Sequence, residues 1–334
     1  DRQPGIDVCD SCGQPLEEAL NNLLPMQTVI TRRRDRISAD EEERQRAGFE
    51  MITTYRFLPR GTAPGSIHAQ AVEGGVEVLD LRYGDAAELR VTNVGPRKRA
   101  TSTDRGFWLD TVKGQWLSDT KAADLDKDAN DDDAPAAADV KRKARVIPYV
   151  EDRRNIAVIR WAEGLTDTER YTLMFALERG IEATFQLEDS ELTSEQLPDD
   201  DDRGRFLLVE AAEGGAGVLR RLHAEDDALA RVAAEALRIM HIDPATGEDD
   251  PDACVRGCYR CLLTYGNQSH HEDIDRRQAR TTLLRLARSR TVPDTAGDDD
   301  QPGGLGGSVG PGTPGPTSPT EPGHDRPLTG RAAE

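Results

Sequence analysis

The stretch CVRGCYRCLLTYGNQSHH, residues 254 to 271, places three of the chain's five cysteines and two of its six histidines within eighteen residues. Spaced as C-x3-C-x2-C, these thiols constrain the local fold more than any apolar run does, because they must share one ion, form a bridge or be buried separately. A C-x2-C pair bends back as a knuckle, while C-x3-C can set both thiols on one helical face. Cys254, Cys258 and Cys261 can therefore reach a single metal. Thiolate and imidazole donors suit zinc, and a tetrahedral structural site asks for a fourth ligand. His241, His270 and His271 are the near candidates, with His223 further off. Two other readings stay open. Free cysteines often serve as small core residues, and a catalytic thiol would need a positioned base and no competing thiol neighbours.

A second pair, Cys9 and Cys12 in CDSCG, has the form of half a zinc ribbon. Either its partner thiols lie upstream of residue 1, or the pair is a turn in which Gly13 serves the backbone. The chain begins inside this knuckle-like pair without an initiator methionine, which suggests the carboxyl-terminal piece of something longer. An odd number of cysteines in a long acidic chain fits metal ligation in a reducing compartment better than a disulfide framework. No run approaches the roughly 20 apolar residues of a membrane helix, and the amino end has neither a basic start nor an apolar signal core. A soluble cytoplasmic protein with no membrane contact is the expectation.

The 334 residues are 36% hydrophobic, enough for real cores but not for a chain folded from end to end. The net charge of -19 would oppose nucleic-acid binding if it were spread evenly. Acid is concentrated instead in runs at 124–133, 198–202 and 298–300, which read as solvated inserts. Basic clusters stand apart from these runs. TRRRDR (31–36), GPRKR (95–99), KRKAR (141–145) and the stretch 275–290 can each contact phosphates, with Tyr55, Trp108 and Trp116 available for stacking. The candidate nucleic-acid contacts are Arg97, Lys98, Arg99, Arg276, Arg277 and Arg280. For each cluster the plainer reading is a solvated charged face.

Local patterns predict an α+β chain in which a β-rich segment precedes an α/β zinc-binding domain and a disordered tail. Residues 1–24 form a partial zinc-knuckle segment, with Leu16, Leu20, Leu23 and Leu24 marking one helical face. Residues 25–140 form a β-rich region: a strand starting at VIT (28–30), a helix capped by Ser38 or Asp40, a strand over FEMITTYRFL, and a meander over 66–118. An acidic insert, 119–140, ends this region. Residues 141–291 form the zinc-binding domain: two strands with a polar turn over 144–162, a helix over 166–185, a buried strand, a Gly-rich turn and two helices over 205–240, and a basic amphipathic helix over 273–290. From about 292 the Gly, Pro and Ser content predicts a disordered tail.

No phosphate loop, D-E-x-[DH] box, H-E-x-x-H or G-x-S-x-G is present. EGGAG (213–217) lies between a strand and a helix, the right setting for an anion-binding turn. It lacks the lysine of a phosphate loop, and a tight turn for close helix packing is the plainer reading. No catalytic residue is assigned.

Three stretches, RRRDRISADEEERQRAGFEMITTYRF (32–57), FLLVEAAEGGAGVLRRL (206–222) and CVRGCYRCLLTYGNQSHHEDIDRR (254–277), together resemble the carboxyl-terminal part of bacterial superfamily 2 DNA helicases with an MrfA-type zinc-binding domain. Their order and spacing match over about residues 1–290. Within that group the resemblance is greatest to the DrmA-type large helicase subunits of DISARM phage-defence systems. The resemblance implies that Cys254, Cys258 and Cys261 ligate structural Zn2+. Relatives often carry a cysteine just ahead of the histidine in the segment matching IMHIDP, where this chain has Met240 beside His241. His241 would then complete the site, with His270 and His271 as the alternatives. It further implies an accessory region that braces helicase motor lobes upstream, guides DNA, in particular single strands, and docks other defence-system subunits. ATP and Mg2+ would belong to those lobes, whose motifs this chain lacks. The rival expectation is a free-standing zinc-stabilised scaffold that binds protein without DNA activity.

Overall fold

The computed structural model describes residues 20, 22–27, 48–59, 65–97, 104–129, 142–188, 191–197, 204–211 and 215–293, all within one compact unit, Leu16–Asp298. Cys9 and Cys12, the VIT strand start, the helix after Ser38, and the Gly/Pro-rich tail beyond residue 293 lie outside them.

In chain order the elements are β1 (Leu23–Pro25), β2 (Phe49–Arg56), β3 (Ile67–Glu73), β4 (Val76–Pro96), β5 (Phe107–Asp110), β6 (Gln115–Leu117), α1 (Asp119–Ala129), β7 (Lys143–Trp161), α2 (Asp167–Phe185), β8 (Leu192–Gln196), β9 (Arg205–Glu210), α3 (Val218–Ala224), α4 (Ala228–Ile239), a single 3-10 turn (Gln268–His270), α5 (Arg280–Leu286) and β10 (Arg290–Pro293). The fold is α+β, as expected. Among the described residues ten strands form one sheet with a path β10-β3-β4-β7-β5-β6, to which β2 adds on β4, β1 and β9 on β7, and β8 on β9. All these pairings are antiparallel except β1 with β7. Leu23 and Leu24 are therefore in a strand rather than on a helical face, because residues 23–25 find backbone partners at Ile147–Tyr149.

The two longest strands differ from expectation. The meander over 66–118 is expected to turn at the polar residues after VEVLDLRYG, and 144–162 to form two strands with a polar turn, yet β4 runs unbroken for 21 residues and β7 for 19. The polar stretches face each other across the ladder, with Glu88 opposite Arg153 and Arg90 opposite Glu151. Arg90 and Glu151 form an ion pair. Opposite charges placed across a strand pair support the sheet where each segment alone resembles a turn.

A bulge at the middle of β4 decides how the sheet is layered. Gly84 pairs with Ile156 and Ala87 with Arg154, so β4 uses one more residue than β7 between these points. Ala86 takes the left-handed conformation there, with φ of 51°. Because side chains alternate with a period of two, one extra residue moves the odd-numbered positions to the other face. Leu79, Leu81 and Tyr83 accordingly pack into the core under the helices. Ala87 and Leu89 pack with Ile156, Val158, Leu207 and Val209 on the opposite face.

Helices α2 and α4 cover the first face. Thr166 caps α2 in a reciprocal box with Glu169. The helix continues past Gly180, where a Cβ would come within 2.6 Å of the Val232 carbonyl oxygen on α4. Gly180 thus serves close helix approach. Burial of Leu173, Leu177, Ile181, Leu229 and Leu237 in this layer is worth about 1.5–3 kcal/mol per side chain.

The expected helix over 273–290 is shorter. Only Arg280–Leu286 is helical, because backbone donors ahead of it are committed elsewhere: Asp275 N–H to Thr172 Oγ1 at 2.9 Å and Arg276 N–H to the Arg256 carbonyl at 2.8 Å.

Candidate metal centre

Helix α4 positions the first donor. At its end the Ile242 N–H bonds to Leu237 O and the His241 N–H to Arg238 O, both at 2.9 Å, which is the double closure of a Schellman turn. The residue beyond the cap in such a turn adopts positive φ and is usually glycine. Here it is His241, with φ of 62°. An imidazole held in a backbone conformation that costs a side-chain-bearing residue about 1 kcal/mol points to a role for the side chain itself.

A tight reversal follows, closed by the bridge between Ile242 and Asp249. Asp243 accepts from the N–H groups of Ala245 and Thr246 at 2.7 and 2.9 Å. These amides, Thr246 first, hold its carboxyl below the usual carboxylate range. The chain then enters Cys254–Cys261 through turns. C-x3-C does not share a helical face, since no helix forms over 250–263; the thiols converge because the segment folds back on itself. Cys261 N–H bonds to Cys258 O at 3.0 Å, and Cys258 N–H points at Cys261 Sγ at 3.0 Å, an amide-to-sulfur knuckle.

The ligand atoms of His241, Cys254, Cys258 and Cys261 all lie within 4.8 Å of one another. Cys261 Sγ is 3.7 Å from Cys254 Sγ and 3.6 Å from Cys258 Sγ. A tetrahedron with metal–sulfur bonds of about 2.3 Å has sulfur–sulfur edges of roughly 3.8 Å, so the spacing fits a shared zinc ion, and the sulfurs are far too distant for a disulfide. Burial pushes the Cys261 thiol up to about 12. At Cys258 burial acts the same way, but hydrogen bonds from the His241 ring and the Arg260 amide outweigh it and bring the thiol down to about 6. Burial also raises Cys254.

His270 and His271 are held elsewhere. His271 Nε2 donates to Thr264 O and Asn267 Oδ1, each at 3.0 Å. His270 stacks on Tyr171 with ring centroids 4.1 Å apart. His223 Nε2 contacts His68 O at 2.9 Å.

Arg276, expected at a phosphate, is wholly buried. Its guanidinium takes Asp249 and the carbonyls of Cys254 and Met240, so nothing of it reaches solvent. Arg277 is exposed, 3.5 Å from Asp249 Oδ2. Arg280 is half-buried at the start of α5, and Arg97 is exposed with Nε donating to Phe49 O at 3.1 Å. Lys98 and Arg99 lie outside the described residues. Trp116 is 49% exposed and meets Phe107 edge-on. Trp108 is flanked by Lys143 and Arg145.

The turn between β9 and α3 is filled from within. Glu210, 1% exposed, accepts from Leu219 N–H at 2.9 Å and Gly217 N–H at 3.3 Å, while Asn155 Nδ2 donates to it at 3.1 Å. Asn155 also accepts from Ala86 N–H at 3.1 Å, tying the β4 bulge to this turn. The amides that would cradle a phosphate carry the protein's own carboxylate. A Cβ on Gly215 would lie 1.9 Å from Glu210 Oε2, so the glycine here answers to packing. Glu210 and the Arg276–Asp249 pair carried no spacing signal in the sequence, since their partners are 7 to 55 and 22 to 36 residues away.

Comparison with known proteins adds one family. Residues 173–262 match the model described as MrfA Zn-binding domain. Among solved structures, the crystal structure of the DUF1998 helicase MrfA bound to DNA is similar at a TM-score of 0.38 and 10% identity. The match covers 71% of this chain and 25% of that one, so this chain spans about a quarter of its length. No curated protein matches the chain. The segment that matches the MrfA Zn-binding domain contains His241, Cys254, Cys258 and Cys261, the four residues whose donor atoms converge.

Proposed function

We propose that this chain is the zinc-bearing accessory region of an ATP-dependent DNA helicase. The observation that carries this reading is the convergence of one imidazole and three thiols within a segment that matches the MrfA Zn-binding domain. Zinc held by His241, Cys254, Cys258 and Cys261 would supply folding free energy and no chemistry. ATP and Mg2+ would bind on motor lobes, to which this region offers a rigid brace. Among the described residues between β9 and α3, Glu210 stands on the Gly217 and Leu219 amides where an anion would bind.

DNA guidance, in particular of single strands, is part of the same reading. It is supported by exposed Arg97 and Arg277 and by the half-exposed Trp116 beside Phe107. Backbone charge and base stacking together make a sequence-tolerant contact for single strands. A place among DISARM-type phage-defence proteins, with docking of their other subunits, follows from the order of the three sequence stretches, and a cytoplasmic location goes with it. Among the described residues no helix is long and apolar enough to cross a membrane.

The rival reading, a zinc-stabilised protein scaffold, is favoured by the net charge of -19. Two measurements separate them. Metal content by mass spectrometry should give one zinc per chain for this site, lost in Cys258→Ser; none in the wild type removes the reading. Binding to single-stranded DNA should weaken with salt, with a slope reduced by about 1 for each phosphate-contacting arginine replaced, as in Arg97→Gln and Arg277→Gln. No binding at low salt leaves the scaffold. In cells carrying the complete system, Cys258→Ser should abolish protection against phage, scored by plaque counts.

A further inference from the structure

Arg276 is the bulkiest wholly buried side chain among the described residues, and it is a cation. A buried charge is tolerated only when paired and hydrogen-bonded, so its partners show what it is there to hold. Nε donates to the Cys254 carbonyl at 2.6 Å, Nη1 to the Met240 carbonyl at 3.0 Å, and Nη1 and Nη2 fork onto the two Asp249 oxygens, the latter at 3.1 Å. These four contacts engage a donor set of five N–H groups. Its backbone N–H adds a bond to Arg256 O at 2.8 Å.

These partners lie on both arms of the metal centre. Met240 directly precedes His241, the donor at the end of α4. Cys254 is itself a donor, and Arg256 lies between Cys254 and Cys258. Asp249 closes the reversal that joins the two arms, through its bridge to Ile242. Arg277 approaches Asp249 only from the exposed side, at 3.5 Å.

We propose that Arg276, held by Asp249, is a positioning residue that fixes the His241 arm and the Cys254–Cys258 arm at ligating distance before the metal arrives. A planar guanidinium does this where an ammonium does not, because its fork fixes direction as well as charge. Groups that orient metal ligands from one layer out commonly contribute 10–100-fold to affinity. The inference rests on the metal reading, and the test keeps the two apart.

Zinc affinity is measured by chelator competition on the full chain for wild type, Arg276→Lys, Asp249→Asn and Arg277→Gln, together with the visible spectrum of the cobalt-substituted protein. The wild type should bind one zinc. Arg276→Lys and Asp249→Asn should bind about 10–100-fold more weakly, with altered cobalt ligand-field bands, and Arg277→Gln should match the wild type. A purely architectural arginine would lower the melting temperature of metal-free and metal-loaded protein alike and leave affinity and spectrum unchanged; that result overturns the proposal. If Arg276→Lys does not fold, Asp249→Asn decides by the same two readouts. A wild type that binds no zinc overturns the metal reading and the clamp with it, whereas tight wild-type binding with unchanged variants overturns the clamp alone.

Discussion

His241 combines two demands that normally go to different residues. Its backbone closes α4 in a left-handed conformation suited to glycine, while its ring completes a donor set. His241→Gly should therefore stabilise the metal-free protein by up to about 1 kcal/mol and yet abolish tight zinc binding. Melting curves with and without zinc check both signs, and a variant that keeps wild-type affinity would remove His241 from the site. Glu178 is a different case. Half-buried on α2 and bonded by the Ser194 hydroxyl, its carboxyl is pushed from the ordinary 4.5 to about 7, by desolvation first. The native state thus favours the neutral acid. The stability this confers is fully present below about 4.5 and is lost as pH rises through about 7. Glu178→Gln should flatten the stability profile across that window and raise stability above it, by at most about 3 kcal/mol. Chemical denaturation at pH 5 and pH 8 measures the difference, and an unchanged slope counts against it. The three thiols were legible in the sequence because donors seven residues apart or fewer announce themselves by spacing. Glu178 was not, because its burial depends on β8 folding across α2.

At the level of elements, the most consequential feature is the single extra residue in β4. It sends Leu79 and Leu81 to one core and Leu89 to the other. Deleting Ala86 should restore strict alternation, turn one of these sets away from its core, and leave a chain without a cooperative unfolding transition in calorimetry. A sharp wild-type-like transition would show that the bulge is dispensable. Gly180 gives a milder test, since its missing Cβ admits the Val232 carbonyl. Gly180→Ala gains helix propensity but overpacks the α2–α4 contact, and a net loss of about 1–3 kcal/mol is expected in urea titration. Element boundaries were only partly legible. Strand β2, the capped start of α2 and the α3–α4 pair follow local pattern. The polar centres of β4 and β7 look like turns until each strand supplies the other's partner, and the 273–290 stretch looks helical until Thr172 and Arg256 take its backbone donors.

Taken as a whole, the molecule has two kinds of cohesion. The sheet and the helices on it are held by apolar burial, which takes in Ile242, Leu262 and Ile274 as well, whereas on the zinc reading residues 241–276 are held in addition by a metal and by the Arg276 fork. Chelation with EDTA should therefore raise amide hydrogen exchange across 241–276 while β4 and β7 stay protected. Loss of protection throughout would mean that the metal supports the entire fold. By itself the sequence determined the donor types, their spacing and the α+β character, because thiol chemistry and side-chain periodicity act over a few residues. Tertiary structure alone brought the His241 ring to the thiols and held His270 and His271 away, set Glu210 on the Gly217 and Leu219 amides, and made Arg276 an internal brace rather than a surface contact. Each of those outcomes depends on segments up to tens of residues apart meeting in space, and contact at that range is set by how the sheet and helices pack.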